Sequence, residues 1–283
     1  MLPEPTLRRM TVADVPQVGE MFAKIGWDHS SSQREANIAW AGEGSFCLED
    51  QEHVVGTANV ICYSSDLAWV GMVVVDPDYQ RRGLARRLMV ASMDYCRTNN
   101  IKTIMLDASS LGYGLYESMN FQSLYKIESW TGIPTPHAAS SSRTLRPMSL
   151  DDLPAVAALD ARLFGLPRSH ILQWLQQFGG WVDEQNGVVT GYIFAHAGHS
   201  GRIGPWHHPD AEGADALLQS AISSFDGQTV VRLDIPAPNE QASSLAAKYG
   251  LSTKRGCTRM IWGETPAPGR MAEQYAIIGF ATG

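Results

Sequence analysis

The strongest constraint on the fold of this chain is that its sequence pattern occurs twice. The segment LRRMTVADVPQV, beginning at Leu7, is matched by LRPMSLDDLPAV, beginning at Leu145, an offset of 138 residues. Three more pairs of matching segments follow in the same order in the two halves. Solenoid repeats have periods of about 20 to 50 residues, so a period this long indicates two copies of a whole domain.

Both copies show the same order of predicted elements. The segments at Leu7 and Leu145 each read as a strand, a Thr or Ser cap, an acidic first turn and an amphipathic helix. FCLEDQEHVVGTANVICY and GWVDEQNGVVTGYIFAHA each read as two strands joined by a polar turn. The other two pairs of segments complete a duplicated β-α-β-β-β-α-β-α unit.

The segment GIPTPHAASSSR lies between the copies and is rich in Pro, Ser and small residues, which is typical of a linker. We therefore predict a first domain at 1–133, a linker at 134–142 and a second domain at 143–283. Residues 1–142 contain 11 Lys and Arg against 16 Asp and Glu, whereas residues 143–283 contain 11 against 13. Most of the formal net charge of -7 therefore belongs to the first copy.

The composition, 44% hydrophobic and 18% charged, is that of ordinary globular domains and argues against several other classes of protein. There is no apolar run of about 18 residues for a membrane span, and the first residues lack the apolar region of a secretory signal. We therefore predict a cytoplasmic protein with no membrane partner. The excess of Asp and Glu over Lys and Arg argues against a nucleic-acid partner and favours cationic ligands. The cysteines lack CxxC spacing, which predicts free thiols and no metal site: Cys47, Cys62, Cys96 and Cys257.

The stretch VVVDPDYQRRGLARRLM at 73–89 crowds four arginines around one glycine. We predict a buried strand at 68–75, a turn, and a helix that starts near Gly83 and turns an apolar stripe towards a core. A helix N-terminus offers unpaired N–H groups and a partial positive charge, and a glycine there lets an anion approach the backbone. The junction is therefore either a phosphate site or a solvated basic helix face.

The segment QRRGLA at Gln80–Ala85 fits the Q/R-x-x-G-x-G/A signature of the GNAT superfamily of acyl-CoA-dependent N-acetyltransferases. The preceding VVVDPDY and the later LYESMNF at Leu115–Phe121 also resemble conserved elements of that family. The resemblance covers residues 5–130 strongly and 143–265 as a degenerate second copy. It implies an α/β (α+β) fold of two tandem GNAT-like domains, each with a mixed, mostly antiparallel central sheet flanked by helices.

The resemblance also implies acetyl-CoA as co-substrate, with no metal. Backbone amides of Arg81–Ala85 would hold the pyrophosphate, and the strand Met72–Val75 would pair with the pantetheine arm. That strand would splay from the next one, Thr103–Ala108, and leave a gap for the thioester. An elongated anionic cofactor needs both an anion-binding turn and an open strand edge. The predicted cofactor-binding residues are Met72, Val73, Val74, Val75, Gln80, Arg81, Arg82, Gly83, Leu84, Ala85 and Ser109.

Tyr116 occupies the position of the family's usual general acid, which protonates the departing thiolate. A phenol with a pKa near 10 is protonated at neutral pH and is therefore a plausible donor. The alternative is a core aromatic residue, because Leu115, Met119 and Phe121 around it also look buried.

Two family residues are missing from this sequence. Many relatives carry a glutamate base on the strand before the phosphate loop, where this chain has Trp69 or Gly71, and an asparagine where it has Ser109. The base must then come from elsewhere, or an ordered water chain must serve. The candidates are Asp28, His29, Glu43 and Asp66, in loops expected to border the acceptor site, and Asp107 at the end of a strand.

The second copy has AEGADALL where the first has QRRGLARRL, with no arginine and with two added acids, Glu212 and Asp215. Acids beside a pyrophosphate repel it, so we predict that this copy has lost the cofactor and shapes the acceptor site. Residues expected to line a cleft between the copies are Trp130, Trp206, His207 and His208. A zinc site at the adjacent histidines is disfavoured, because neighbours in sequence point apart and no third ligand is evident.

The sequence therefore predicts acetyl transfer to a primary amine of a small acceptor by direct attack. The acidic first copy favours a cationic acceptor, aminoglycoside- or polyamine-like, with Asp28, Glu43 and Asp66 as candidate substrate-binding residues. The alternatives are a non-catalytic sensor of acyl-CoA or a metabolite, and an acetyltransferase that acts on protein lysine. We predict a monomer or a homodimer.

Overall fold

The two copies share one continuous β-sheet in the computed structural model, which describes residues 4–27, 29–137, 143–196, 201–263 and 271–283. The first copy contains β1 (Thr6–Arg9), α1 (Val15–Lys24), α2 (Ser31–Ala41), β2 (Ser45–Asp50), β3 (His53–Cys62), β4 (Leu67–Val75), α3 (Leu84–Thr98), β5 (Thr103–Ala108), α4 (Tyr113–Glu117) and β6 (Gln122–Gly132). The second contains β7 (Leu145–Pro147), α5 (Leu153–Phe164), α6 (Ser169–Gln176), β8 (Gly180–Gln185), β9 (Val188–His196), β10 (Gly201–His207), α7 (Ala211–Ser223), β11 (Val231–Pro236), α8 (Glu240–Lys248), β12 (Ser252–Trp262) and β13 (Gln274–Ala276).

The predicted fold class is confirmed: each copy has a mixed, mostly antiparallel sheet with flanking helices. Only β4 with β5 and β10 with β11 pair in parallel among the described strands. One difference is that two helices, and not one, separate the first two strands of each copy. In the first copy Gly26, with φ +71°, follows α1, and the Ser30 side chain then caps α2 by accepting from the Gln33 N–H. Of the described helices, none is long and apolar enough to cross a membrane.

The copies exchange their last strands. The sheet order is β1-β2-β3-β4-β5-β12-β6-β11-β10-β9-β8-β7, with β13 beside β10. Strand β12 of the second copy therefore pairs with β5 of the first, and β6 of the first copy pairs with β11 of the second. The exchange leaves no free sheet edge at the junction, which is a common route by which β-proteins avoid unwanted pairing.

A buried apolar cluster is shared by both copies. Trp69 and Tyr63 of the first copy pack in it beside Phe164 and Tyr192 of the second. Within this core Asp160 accepts two hydrogen bonds from Arg168, at 2.7 and 3.0 Å, and one from the Tyr192 hydroxyl at 2.6 Å. The charges of this buried pair are thus balanced and hydrogen-bonded, as buried charges need to be. Because the cluster has members from both copies, the two halves form one packed unit.

Candidate active site

Strands β4 and β5 run together for only three residues and then part. Their pairing covers Leu67–Trp69 against Thr103–Met105, and the rest of β4 pairs with no described strand on that side. The register with β3 shifts between Thr57 and Asn59, and Met72 has φ +55°, so β4 carries a bulge there. A bulge bends its strand and interrupts the ladder. The Met72 carbonyl accepts from the Thr57 hydroxyl at 2.7 Å, which holds the bulge in place.

The turn after β4 leads into an uncapped helix N-terminus. Arg81 and Gly83 have φ +59° and +77°, and no side chain caps α3. A Cβ atom at Gly83 would meet nothing within 4 Å, so the space beside the backbone at the start of α3 is open. A turn with alternating positive and negative φ at a helix N-terminus forms an anion-binding concavity.

The four arginines of this junction have different roles. Arg86 donates to the Ser118 hydroxyl at 2.6 Å, and Arg87 lies 3.9 Å from Glu4, so both contact the protein itself. Arg81 and Arg82 are exposed beside the open loop, and the Arg82 guanidinium lies 5.1 Å from the Tyr79 ring centroid. Two positive side chains therefore remain at the rim of the anion-binding turn.

A cavity of about 850 Å³ opens from the gap between β4 and β5 and extends between the copies. The bulged part of β4, Val70–Val73, lines it together with Ser109 and Tyr116. Its aromatic walls come from both copies: Trp27, Trp40, Trp174, Phe194 and Phe280. A volume of this size is typical of a small-molecule site, and the lining combines these aromatic walls with many polar and charged side chains.

Tyr116 is 7% exposed, and its hydroxyl has no hydrogen-bond partner within the described part of the chain. It belongs to the core and also lines the cavity, so the two interpretations of this residue are compatible. Burial raises the pKa of Tyr116 above its ordinary value, and the nearby Cys257 adds to that shift. The phenol is therefore protonated across the physiological range.

Of the candidate bases, His29 lines the cavity, whereas Glu43 and Asp66 do not. Glu43 is an exposed residue 3.6 Å from Arg9, and Asp66 forms an ion pair with Lys102 at 2.8 Å. Asp28 lies outside the described residues. The His29 Nδ1 atom is buried without a partner. Burial, followed by the charges of nearby arginines, lowers the pKa of His29 to about 4, so its ring is neutral at pH 7.

Asp107 also lines the cavity, but its carboxylate is already engaged. Arg259 of the exchanged strand β12 donates to both of its oxygens, at 2.9 and 3.0 Å. Burial raises the pKa of Asp107, and the Arg259 guanidinium opposes that shift. An ion-paired, fully buried carboxylate is engaged with its counter-charge, which favours a structural role for Asp107 over that of a base.

Comparisons with known proteins identify the family of both halves. The model of the acetyltransferase (GNAT) family matches residues 16–121, and that of an acetyltransferase (GNAT) domain matches residues 156–276. The chain belongs to the GNAT family.

Several known proteins are similar to this chain over most of their length. The chain is 25% identical to the uncharacterized N-acetyltransferase YitH of Bacillus subtilis, over 77% of each chain. It is 22% identical to holothin acyltransferase of a Pseudoalteromonas species, over 88% of this chain and 85% of that one. A putative acetyltransferase from Pyrococcus horikoshii has the same fold, with a TM-score of 0.86, 22% identity and coverage of 100% and 97%. The names of the first two relatives describe acyl-transferring enzymes, which agrees with the assignment of this chain as an acyltransferase.

In the second GNAT copy the position of the phosphate loop is filled by the protein itself. The Asp210 carboxylate accepts from the Gly213 N–H at 2.8 Å and so caps α7, and Arg143 forms an ion pair with it at 2.7 Å. Glu212 is exposed, and Asp215 forms an ion pair with Lys248 at 2.6 Å. The acid that occupies the helix N-terminus is therefore Asp210, one turn before the acids singled out from the sequence. Aspartate is a favoured N-cap residue, because its carboxylate accepts from an N–H that has no partner within the helix.

The gap between β10 and β11 in the second copy is also filled. Strand β13 pairs with β10 at Trp206 and His207, and the Ile277 N–H donates to the Asp234 carbonyl at 2.9 Å. In the first GNAT copy the corresponding gap is the mouth of the cavity. The second copy thus keeps the splayed strands of the fold but covers them with its own chain.

Three residues expected in the cleft between the copies lie instead in the second core. Trp206, His207 and His208 are fully buried and do not line the cavity, and Trp130 packs against the same core. The bulge in β10 turns these side chains inward. His208 contacts Asp183 at 3.0 Å, and His207 Nδ1 donates to the Glu273 carbonyl at 2.8 Å.

His207 makes the stability of the second copy sensitive to acid. Burial lowers the pKa of His207 to about 4, against about 6.5 in the unfolded chain. Below pH 6.5 the unfolded state therefore binds more protons than the folded state. The stability that neutral His207 contributes is lost as the pH falls from 6.5 towards 4. We expect His207 to lower the free energy of unfolding by on the order of 2 kcal/mol between pH 7 and pH 5.

Urea titrations at pH 7 and pH 5 measure the free energy of unfolding. The comparison is the variant His207→Gln, which keeps a hydrogen-bond donor for the Glu273 carbonyl. The variant should lose less stability between pH 7 and pH 5 than the parent. Equal losses in the two proteins would show that His207 does not titrate in this range.

After β13 the chain crosses from the second copy to the first. The Trp69 indole donates to the Phe280 carbonyl at 3.2 Å, and the Tyr63 hydroxyl donates to the Thr282 carbonyl at 2.7 Å. A side chain at Gly71 would lie 2.5 Å from the Ala281 carbonyl oxygen, so only glycine permits this close approach. Residues 278–282 thereby form a wall of the cavity beside the bulge of β4.

Proposed function

We propose that this GNAT protein transfers an acetyl group from acetyl-CoA to a primary amine of a small acceptor. The observation that carries the proposal is that the open anion-binding turn, the splayed strand β4 and Tyr116 all occur in the first copy, where β4 and Tyr116 line one cavity and the turn directly follows β4. We further propose residues 1–133 as the catalytic domain, 134–142 as linker and 143–283 as the domain that shapes the acceptor site. Residues 138–142 of that linker lie outside the described chain.

The residues present fit coenzyme A. The backbone amides of Arg81–Ala85 would hold the pyrophosphate, helped by the exposed Arg81 and Arg82 and by Gln80, which donates to the Val75 carbonyl at 3.2 Å. The unpaired edge of β4 at Met72–Val75 would hydrogen-bond the pantetheine arm. Bound acetyl-CoA would supply an acyl thioester that is activated towards attack by an amine.

The protein would then contribute placement and proton transfer. Tyr116 would donate its proton to the departing sulfur, because its hydroxyl is protonated and has no other partner. The proton that the attacking amine loses would pass through neutral His29, whose ring nitrogen is unpartnered, or through a water beside it, and Tyr116 would regain a proton from solvent. Backbone N–H groups at the bulge of β4 would polarise the acyl carbonyl.

The shape of the site supports a small molecule over protein lysine as acceptor. Walls from both copies and from residues 278–282 surround the cavity, whereas a protein substrate needs an open groove. One relative is named as an acyltransferase for holothin, which also favours a small acceptor. The cationic acceptor expected from net charge has little support, since Glu43 and Asp66 lie elsewhere and arginines line the cavity.

Isothermal titration with acetyl-CoA and a thiol-release assay with a panel of amines test the proposal. We expect one binding site per chain and steady release of thiol with at least one amine. Two sites would contradict the loss of the second site, and tight binding without release with any amine would favour the non-catalytic sensor.

Replacing Gly83 with valine tests the phosphate loop. The branched side chain is strained at φ +77° and would cover the amides that face the anion. We expect the affinity for acetyl-CoA to fall by about 10-fold or more, as for loss of charge-assisted hydrogen bonds. Gly187→Val is the matched control, because Gly187 has φ +78°, equally open surroundings and a place in the β8–β9 turn. Equal affinities for the two variants would show that the loop does not bind the cofactor.

A further inference from the structure

The cavity has the opposite charge to the protein as a whole. Four arginines line it, Arg34, Arg202, Arg232 and Arg255, whereas Asp107 is the one acid among the described lining residues. Asp107 is neutralised by Arg259. Although the chain has a formal net charge of -7, positively charged side chains predominate around its candidate acceptor site. Charges of one sign in a cleft attract ligands of the other sign.

Arg202 and Arg232 share a single carboxylate. Asp234, whose side chain is 1% exposed, accepts from Arg202 at 2.8 Å and from Arg232 at 3.0 and 3.1 Å. The Ser129 hydroxyl also donates to Asp234, so its oxygens are fully engaged. The Nη1 group of each arginine makes no hydrogen bond or ion pair with the described residues, since their contacts with Asp234 and Ile278 are made through Nε and Nη2. This unit therefore has one uncompensated positive charge and two free donor groups.

Arg255 adds a second positive charge on the same face of the sheet. It pairs with Ser129 across β12 and β6, and Ser129 in turn pairs with Asp234 across β6 and β11. The Arg255 side chain is exposed and makes no ion pair within the described part of the chain. Arg202, Arg232 and Arg255, here called the arginine cluster, thus lie on β10, β11 and the exchanged strand β12.

The first copy contributes a further cation from α2. Arg34 donates to the His29 carbonyl and to the Ser31 hydroxyl, and its buried Nε atom has no partner. No carboxylate pairs with it among the described residues. The pKa of His29, which is lowered mainly by burial, is lowered further by the charges of Arg202, Arg232 and Arg34.

The pyrophosphate of coenzyme A does not account for these arginines. Gln80–Ala85, the proposed pyrophosphate loop, does not line the cavity, whereas the arginine cluster does. The cluster belongs to the second copy, and the cavity connects it to Tyr116 and the bulge of β4, where the acyl group would lie. The anionic group that the arginine cluster binds must therefore belong to the acceptor or to the acyl chain.

We propose that the acceptor is an amine that also carries a carboxylate, such as an amino acid or a small peptide, and that the arginine cluster binds this carboxylate. Arginine suits this task, because its planar fork matches the two oxygens of a carboxylate. The aromatic walls would contact the apolar part of the acceptor. This inference rests on the proposed acyltransferase function and names its substrate class.

Matched pairs of acceptors test the inference: aromatic and aliphatic amino acids, each as free acid and as carboxamide, with acetyl-CoA at saturation. We expect kcat/KM for the free acid to exceed that for the amide by about 10-fold or more, the usual value of a charge-assisted pair. Equal rates, or faster reaction of the amides, would overturn the proposal. Absence of coenzyme binding, or of thiol release with every amine, would instead count against the acyltransferase function.

Arg255→Gln probes the cluster without burying an unpaired charge, because Arg255 is exposed and unpaired. The ratio of kcat/KM for acid over amide should fall by about 10-fold, through KM. Arg97→Gln removes the same charge from the outer surface of α3 and should leave the ratio unchanged. A ratio that responds equally to both variants, or to neither, would overturn the role of the cluster.

Two further measurements complete the test. Calorimetry with phenylacetate and phenylacetamide, in the presence of coenzyme A, measures binding without turnover, and the carboxylate should bind about 10-fold more tightly. Equal binding would overturn the proposal even if no amino acid is a substrate. A comparison of acetyl-CoA with succinyl-CoA as acyl donors shows whether the bound carboxylate belongs to the acceptor or to the acyl chain. A preference for succinyl-CoA, with no preference for acidic acceptors, would place the carboxylate on the acyl chain and overturn the proposal.

Discussion

Tyr116→Phe is expected to lower kcat by about 10²-fold and to leave the affinity for acetyl-CoA nearly unchanged. The substitution keeps the ring that packs against Phe121, at a centroid distance of 6.0 Å, and removes only the hydroxyl. The proposed proton donor to the departing thiolate is then absent, while the cofactor contacts at β4 and α3 remain. Steady-state thiol release and calorimetry on the same preparation separate these two effects.

The expected pH profile adds a second signature. Burial raises the pKa of Tyr116, so the donor stays protonated at alkaline pH and should produce no fall in rate up to about pH 9. Tyr113→Phe is the control in the same helix, since the Tyr113 hydroxyl contacts Ser123 at 2.9 Å and does not line the cavity. Full turnover in Tyr116→Phe, or an equal loss in Tyr113→Phe, would leave Tyr116 as a core residue only.

Arg259→Ala is expected to lower the free energy of unfolding by about 3 to 5 kcal/mol. The side chain is 3% exposed, forms a two-pronged ion pair with Asp107 and lies 4.6 Å from the Trp69 ring centroid. Loss of the Arg259 side chain leaves the Asp107 carboxylate buried without a counter-charge, where the exchanged strand β12 pairs with β5. Urea unfolding followed by tryptophan fluorescence measures the change.

Removing both charges should cost less than removing one. In the double variant Arg259→Met with Asp107→Leu, no charge is buried, so we expect most of the lost stability to return. Arg97→Ala, which breaks an exposed ion pair with Asp94, should cost less than about 1 kcal/mol. If Arg259→Ala costs no more than Arg97→Ala, the buried pair does not hold the exchanged strand.

Local sequence pattern was sufficient for the elements of the proposed cofactor site. The strand predicted at 68–75 is β4 at Leu67–Val75, and the helix predicted near Gly83 begins at Leu84. These elements follow from contiguous residues: a β-branched run, a DPDY turn whose Asp76 accepts from the Asp78 N–H at 3.0 Å, and a glycine with positive φ. The duplication was equally visible, because it is a property of the sequence itself.

The acceptor site could not be predicted in this way. The expectation of a cationic acceptor came from net charge, which does not specify where the charges lie. Glu43 and Asp66 looked suitable by their place in loops, but ion pairs with Arg9 and Lys102 engage them elsewhere. The loss of the second cofactor site was predicted from Glu212 and Asp215, whereas Asp210 caps the helix and β13 fills the gap.

The sequence by itself determined the two copies, the GNAT fold of each and the anion-binding turn of the first, because each depends on residues adjacent in the chain. Only the tertiary structure decided the exchange of β6 and β12 and the path of residues 278–282 across the bulge of β4. It also brought Arg34 to the same cavity as Arg232 and Arg255. The physical reason is that strand pairing is set by backbone hydrogen bonds and shared core packing, which any two strands of suitable pattern can make. Which strands meet, and therefore which charges line the acceptor site, depends on the whole sheet.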